Sequence, residues 1–172
     1  LNGVIAAVDM LGHTPLSDHQ TELADIVRSS SHQLERLIAD VLDLARIESG
    51  ELRLKPEPVD LRDLIDGVVA LCGLKAAEKS VVLSVDIAAD ADQRVLADPV
   101  RLKQVLTNLL SNAVKFTDEG LISLMLSRTD GGRYRFEVRD TGVGFRPEQR
   151  DLIFGRFQQA DDTVTRRFGG TG

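Results

Sequence analysis

Asp98-Pro-Val-Arg-Leu-Lys-Gln-Val-Leu-Thr-Asn-Leu-Leu-Ser-Asn-Ala-Val-Lys-Phe-Thr117 decides how the rest of this 172-residue sequence is read. Asp98 can accept hydrogen bonds from the free amides of a first helical turn, and Pro99 stands where a missing N–H does no harm. A helix therefore begins there. At about 100° per residue, Leu102, Val105, Leu106, Leu109, Leu110, Ala113 and Phe116 fall on one face, and Arg101, Gln104, Asn108, Asn112 and Lys115 on the other. A solvated helix face normally mixes acids with bases, whereas this stripe carries amides and cations and no carboxylate. Asparagine is a mediocre helix former because it competes for backbone hydrogen bonds, so two of them one turn apart need a reason. Groups aimed at an anion and a metal supply one; an ordinary surface stripe is the plain alternative.

Upstream of this helix, Val4, Ile5, Val8 and Leu11 have helical spacing until Gly12 to Pro15 break it. A second helix starts near Ser17, a suitable cap. Its Leu23, Val27, Ser30, Leu34, Leu37, Val41 and Leu44 alternate steps of four and three, the period of a bundle seam, and Ile26, Ile38, Leu42, Ala45 and Ile47 widen the stripe. Two helices have too few layers to bury so wide a face, so the hairpin is expected to pair with a second copy as a four-helix bundle. The alternative is that the stripe docks on the rest of the same chain.

Gly50 to Pro58 reads as a linker, and Asp60 opens a helix that buries Leu61, Leu64, Ile65, Val68, Val69, Leu71 and Leu74. Val81, Leu83, Val85 and Ile87 alternate as a half-buried strand, and Val95-Leu96-Ala97 forms a second short one. Leu121 to Arg128 and Arg133 to Arg139 flank Thr-Asp-Gly-Gly, a β-hairpin whose second arm turns Tyr134, Phe136 and Val138 inward. The expected division is a hairpin over residues 1–50, a linker over 51–59 and a second domain over 60–172. The fold class is α+β: a dimerising two-helix hairpin, then an α/β sandwich whose mixed sheet is covered on one face by helices.

An apolar content of 42% is enough for a real core. The net charge of −6, without Lys/Arg clusters interleaved with aromatics, argues against a nucleic-acid partner. The lone Cys72 rules out an internal disulfide and fits a reducing, cytoplasmic setting. No apolar run approaches the roughly 18 residues that span a membrane. The chain opens on Leu-Asn-Gly and stops on Gly-Gly-Thr-Gly, so it is read as a piece of a longer one, with any membrane attachment through segments outside it.

The hairpin runs into Asp140-Thr-Gly-Val-Gly144. A carboxylate at a strand end followed by two glycines lets the backbone approach a flat ligand while the acid accepts from an amino group such as adenine's. Alone, the same pattern also suits an ordinary turn. It is not the dinucleotide fingerprint, because Gly142 and Gly144 are followed by Pro147 instead of a third glycine, and no Gly-x-x-x-x-Gly-Lys-Ser/Thr occurs. A short helix is expected from Pro147 to Ile153-Phe-Gly-Arg-Phe157, and Gln158 to Phe168 is aperiodic. Arg166, Arg167 and Gly169-Gly-Thr-Gly172 suit phosphate binding.

In this order these stretches resemble one family, the sensor histidine kinases. Asn108 to Thr117 resembles their N box, Asp140 to Gly144 the G1 box, Ile153 to Phe157 the F box and Gly169 to Gly172 the start of the G2 box. Leu1-Asn-Gly-Val-Ile5 and Asp43-Leu-Ala-Arg-Ile-Glu-Ser-Gly50 resemble the dimerisation and phosphoacceptor hairpin, most nearly that of the hybrid subgroup. The resemblance implies ATP and Mg²⁺ as cofactors. Asn112 would be the metal ligand, Asn108 would support it, and Lys115 would pair with phosphate. Asp140 would read adenine, with Gly142 and Gly144 permitting the approach. Phe116, Ile153 and Phe157 would form or support the apolar wall, and Arg167, Gly170, Thr171 and Gly172 would belong to the lid and its anchor. The implied partners are a second copy through residues 1–50 and the receiver domain of a response regulator. Related gyrase-like and chaperone-like ATPases carry Glu where this chain has Asn108, and an amide cannot take a proton from water, which favours transfer to a protein side chain.

The family's phosphoacceptor histidine would stand six residues before the position of Leu1. His13, next to Thr14-Pro15, lies in the inter-helix turn with no acid after it, and His19 and His32 read as exposed helix residues. Residues 1–172 are therefore expected to bind Mg-ATP without phosphorylating themselves. The rival readings are a gyrase-like or chaperone-like ATPase and a degenerate kinase acting as a dimeric scaffold.

Overall fold

A computed structural model describes residues 1–144 of the chain. The chain divides into two compact units, Leu1–Arg53 and Leu54–Gly172.

The first unit is a helical hairpin of α1 (Asn2–Gly12) and α2 (Asp18–Glu48). Ser17 starts α2 through a capping box: its hydroxyl accepts the Gln20 N–H at 3.3 Å and its own N–H donates to Gln20 Oε1 at 2.9 Å. Arg28 of α2 bridges Asp9 of α1 at 3.0 Å and Asp25 at 2.8 Å. Val8 and Ser31 are buried, while Leu23, Ile26, Val27, Leu34, Ile38, Val41, Leu42 and Ile47 stay exposed. Among the described residues no helix is long and apolar enough to cross a membrane.

The second unit carries β1 (Glu57–Asp60), α3 (Leu61–Glu78), β2 (Val81–Ile87), β3 (Arg94–Ala97), α4 (Pro99–Phe116), β4 (Gly120–Arg128) and β5 (Tyr134–Asp140). β2 runs parallel to β4, with Val85 opposite Leu124, and β4 runs antiparallel to β5, with Leu124 opposite Val138. The sheet is thus mixed, in the order β2-β4-β5, and β1 pairs antiparallel with β3 in a separate ribbon. Ile122, Leu124 and Leu126 from β4 form one core with Leu61, Ile65, Val68, Cys72 and Ala76 of α3 and Leu106, Leu110, Ala113 and Val114 of α4. Tyr134, Phe136 and Val138 pack against it, as the alternation along β5 requires. Two helices on one face of a mixed sheet is the expected sandwich.

Three sequence expectations are corrected. Residues 57–59, placed in the linker, belong to β1, with Pro58 opposite Leu96. A proline that punctuates most strands is tolerated at a sheet edge, where no ladder N–H is required of it. On α4 the buried stripe is centred on Leu106, Leu110, Ala113 and Val114, which leaves Val105 54% and Leu109 45% exposed. The helix is rotated so that its outer apolar shoulder lies beside the amide stripe. On α3, Leu71 and Leu74 are likewise exposed, and Cys72 and Ala76 take their place in the core.

Candidate functional site

Helix α4 is fixed at both ends by groups outside it. At its start the Asp98 carboxylate accepts the Arg101 N–H at 3.1 Å and, from a residue far back in the chain, the Lys55 N–H at 2.9 Å. These two backbone donors, Lys55 first, hold the Asp98 carboxyl below the usual carboxylate range.

At its end the last four carbonyls, which a helix cannot satisfy internally, are all accounted for. The Ala113 carbonyl accepts the Thr117 N–H. Those of Val114 and Lys115 each accept from the Lys79 ammonium at 3.0 Å. The Phe116 carbonyl accepts the Val143 N–H at 3.2 Å. The turn after β5 is therefore a cap of α4, and this bond places Asp140 beside the helix end that bears Lys115 and Phe116.

That turn has little freedom. Asp140 Oδ1 accepts the Gly142 N–H at 3.0 Å, while Oδ2 has no partner among the described residues. A Cβ on Gly142 would sit 2.3 Å from the Phe116 carbonyl oxygen, so only glycine allows this approach. Gly144 takes φ 61, a left-handed value that favours glycine. Thr141 anchors the other side, its hydroxyl accepting the Leu121 N–H at 3.0 Å and its N–H donating to the Leu121 carbonyl.

One turn before Phe116, Asn112 is exposed, and Asn108 is exposed a turn earlier; neither side-chain amide has a hydrogen-bond partner among the described residues. The Lys115 ammonium lies 5.0 Å from the centre of the Phe116 ring, a cation–π contact that keeps it at this end of the helix. Thr117 is fully buried, and its Oγ1 has no partner among the described residues, the kind of orphaned group that a water or ligand satisfies.

The described residues contain no cluster of three His, Cys, Asp or Glu side chains that could hold a metal ion. The exposed Asn112 amide oxygen fits Mg²⁺, a hard ion usually held by one or two protein ligands together with substrate phosphates and water. Asn108, Asn112, Lys115, Phe116, Asp140, Gly142 and Gly144 thus gather at the end of α4 and the turn that caps it. Ile153, Phe157, Arg167, Gly170, Thr171 and Gly172, with the helix expected from Pro147, lie outside the described residues. Lys79 escaped sequence reading, because the carbonyls that it holds lie more than thirty residues further on. The Val143 amide escaped it too, since a backbone donor leaves no trace in residue type.

A helical hairpin followed by an α/β domain, with an amide-bearing helix capped by an acidic glycine turn, is the plan of a histidine-kinase catalytic region. Residues 1–50 match the model of the His Kinase A (phospho-acceptor) domain, and residues 97–172 that of the histidine kinase-, DNA gyrase B- and HSP90-like ATPase. The chain belongs to the sensor histidine kinases. The match over residues 1–50 decides against the gyrase-like alternative. All of the chain aligns with the signal transduction histidine-protein kinase BarA of Escherichia coli (strain K12) at 35% identity, spanning 19% of that protein. It also aligns in full with the sensory/regulatory protein RpfC of Xanthomonas campestris pv. campestris at 34% identity, spanning 24% of it. The chain therefore spans 19% to 24% of the length of these relatives. Among solved structures, full-length ShkA in complex with AMPPNP superposes with a TM-score of 0.80 at 37% identity, over 95% of this chain and 35% of that one.

Proposed function

We propose that the second unit binds Mg-ATP at the end of α4, and that the protein to which the chain belongs transfers the γ-phosphoryl group to a histidine and thence to an aspartate of a receiver domain. The observation that carries this reading is the Val143 N–H bond to the Phe116 carbonyl, which joins the acidic turn to the amide-bearing helix. Asp140, held by the Gly142 N–H through Oδ1, offers Oδ2 to the adenine amino group. Asn112 offers its amide oxygen to the magnesium ion that accompanies the phosphates, with Asn108 supporting it, and Lys115 pairs with phosphate. Mg²⁺ supplies charge neutralisation on the transferring phosphoryl group. The Asn108 amide cannot take a proton from water, which directs the chemistry toward a protein acceptor and away from hydrolysis.

The exposed stripe along α2 supports a homodimer formed through residues 1–50, because so continuous an apolar row is seldom left to solvent. The cytoplasm is the compartment that ATP and a receiver partner imply. The reading is tested by titrating residues 1–172 with a fluorescent ATP analogue. Saturable, Mg²⁺-dependent binding is expected; Asp140→Ala reduces affinity at least tenfold, and Asn112→Ala removes most of the Mg²⁺ dependence. Absence of saturable binding by the wild-type chain rejects it, and would leave the scaffold reading in its place.

The three histidines within the chain do not suit the acceptor role. His13 lies at the end of α1 with Nδ1 2.7 Å from the Asp9 carbonyl, and His19 and His32 face Glu22 and Glu35 on exposed turns of α2. Incubation of residues 1–172 with γ-labelled ATP is expected to leave no acid-labile phosphate on them. Label on any of the three would refute this.

A further inference from the structure

The last turn of α4 carries the site, yet two of its four terminal carbonyls are held by a side chain from another element. Lys79 is the C-cap residue of α3, and the following Ser80 takes φ 57 to reverse the chain into β2. Its side chain, 34% exposed, reaches across to the carbonyls of Val114 and Lys115 at 3.0 Å and of Thr117 at 3.4 Å, with Asp118 Oδ1 at 3.8 Å. A positive group at a helix C-terminus also opposes the partial negative charge gathered there.

Resting on the nucleotide-binding reading above, we infer that Lys79 is a positioning residue for the site: it holds the final turn of α4 in the geometry that the acidic glycine turn requires. The Lys115 carbonyl that it grips belongs to the residue whose ammonium stacks on Phe116, and the next carbonyl along receives Val143. The acidic turn approaches that last turn closely, since a Cβ on Gly142 would meet the Phe116 carbonyl oxygen at 2.3 Å. A last turn freed to fray, or to open its carbonyls to water, therefore releases the Val143 bond and with it the orientation of Asp140. Charge-assisted donors make this hold stronger than the neutral cap bonds beside it.

Amide hydrogen exchange in the nucleotide-free chain reads this directly. Lys79→Met keeps most of the aliphatic stem and removes the donors. It is expected to speed exchange at Val143 about tenfold while the amides of Leu124 and Leu126 in the sheet change much less, since local opening and global unfolding report separately. Lys79→Arg is expected to restore protection at Val143. Affinity for the fluorescent ATP analogue should fall in Lys79→Met and recover in Lys79→Arg. Unchanged exchange at Val143 in Lys79→Met overturns the inference, as does acceleration equal to that at Leu124 and Leu126, or equal acceleration in the Met and Arg variants. A wild-type chain that binds no nucleotide would defeat the function proposed above, while the exchange result would still decide the role of Lys79.

Discussion

Gly142 is where a single hydrogen in place of a methyl group decides the site. Its missing Cβ would meet the Phe116 carbonyl oxygen at 2.3 Å, and because that neighbour is backbone it cannot swing aside as a flexible side chain would. Gly142→Ala is expected to force the turn away from α4, breaking the Val143 bond. It should cost about 1–3 kcal/mol of stability in urea unfolding and lower affinity for the ATP analogue at least tenfold. Wild-type affinity in this variant would show that the close approach is dispensable. The role proposed for Asp140 rests on the same turn: one carboxylate oxygen shapes the loop, and the other has no partner among the described residues. Both residues stood out in the sequence, because Asp-x-Gly-x-Gly at a strand end narrows the conformations open to the backbone. What the pattern did not reveal was the partner of the turn.

Helix α4 acts as a unit because groups remote in sequence close it at both ends. Asp98 caps its start and also receives the Lys55 amide, so the carboxylate links the approach to β1 with the helix. Its folded-state pKa is depressed, so its contribution to stability is fully present above the unfolded value, near 3.9, and is lost as pH falls through the lower folded value. Asp98→Asn keeps the shape and part of the acceptor capacity but loses the charge. The stability advantage of wild type over Asp98→Asn, measured by thermal unfolding, is therefore expected to be constant near neutrality and to shrink below about pH 4. A difference independent of pH down to pH 2 would show that charge has no part in the cap. The helix itself was legible from Asp98, Pro99 and the 3.6-residue period. Its rotation was not, since period alone cannot say whether Val105 and Leu109, or Val114, meets the sheet.

At the scale of the molecule, each unit has its own logic. The second is closed around Leu106, Leu110, Ile122, Leu124 and Leu126, all essentially inaccessible. The first leaves Leu34 at 47%, Ile38 at 48% and Val41 at 50% exposure along one helix, a face that a second copy would cover. Leu34→Asp places a charge at that seam. Light scattering is expected to show a dimer for wild type and a predominantly monomeric species for Leu34→Asp, with binding of the ATP analogue unchanged in the second unit. A wild-type chain that remains monomeric at tens of micromolar would remove residues 1–50 as a self-association surface.

Sequence by itself determined the four helices, every strand but β1, the two-module plan and the polar groups proposed for the site, because helix caps, periodicity and glycine turns are local properties of the chain. The tertiary structure alone decided how those groups meet. The rotation of α4 depends on packing against three elements at once. The strand at Glu57–Asp60 exists because β3 is there to pair with it. The bonds from the Lys79 ammonium and the Val143 amide to the end of α4 join residues distant in sequence and end on backbone carbonyls that every amino acid shares, so the local pattern of residues does not announce them.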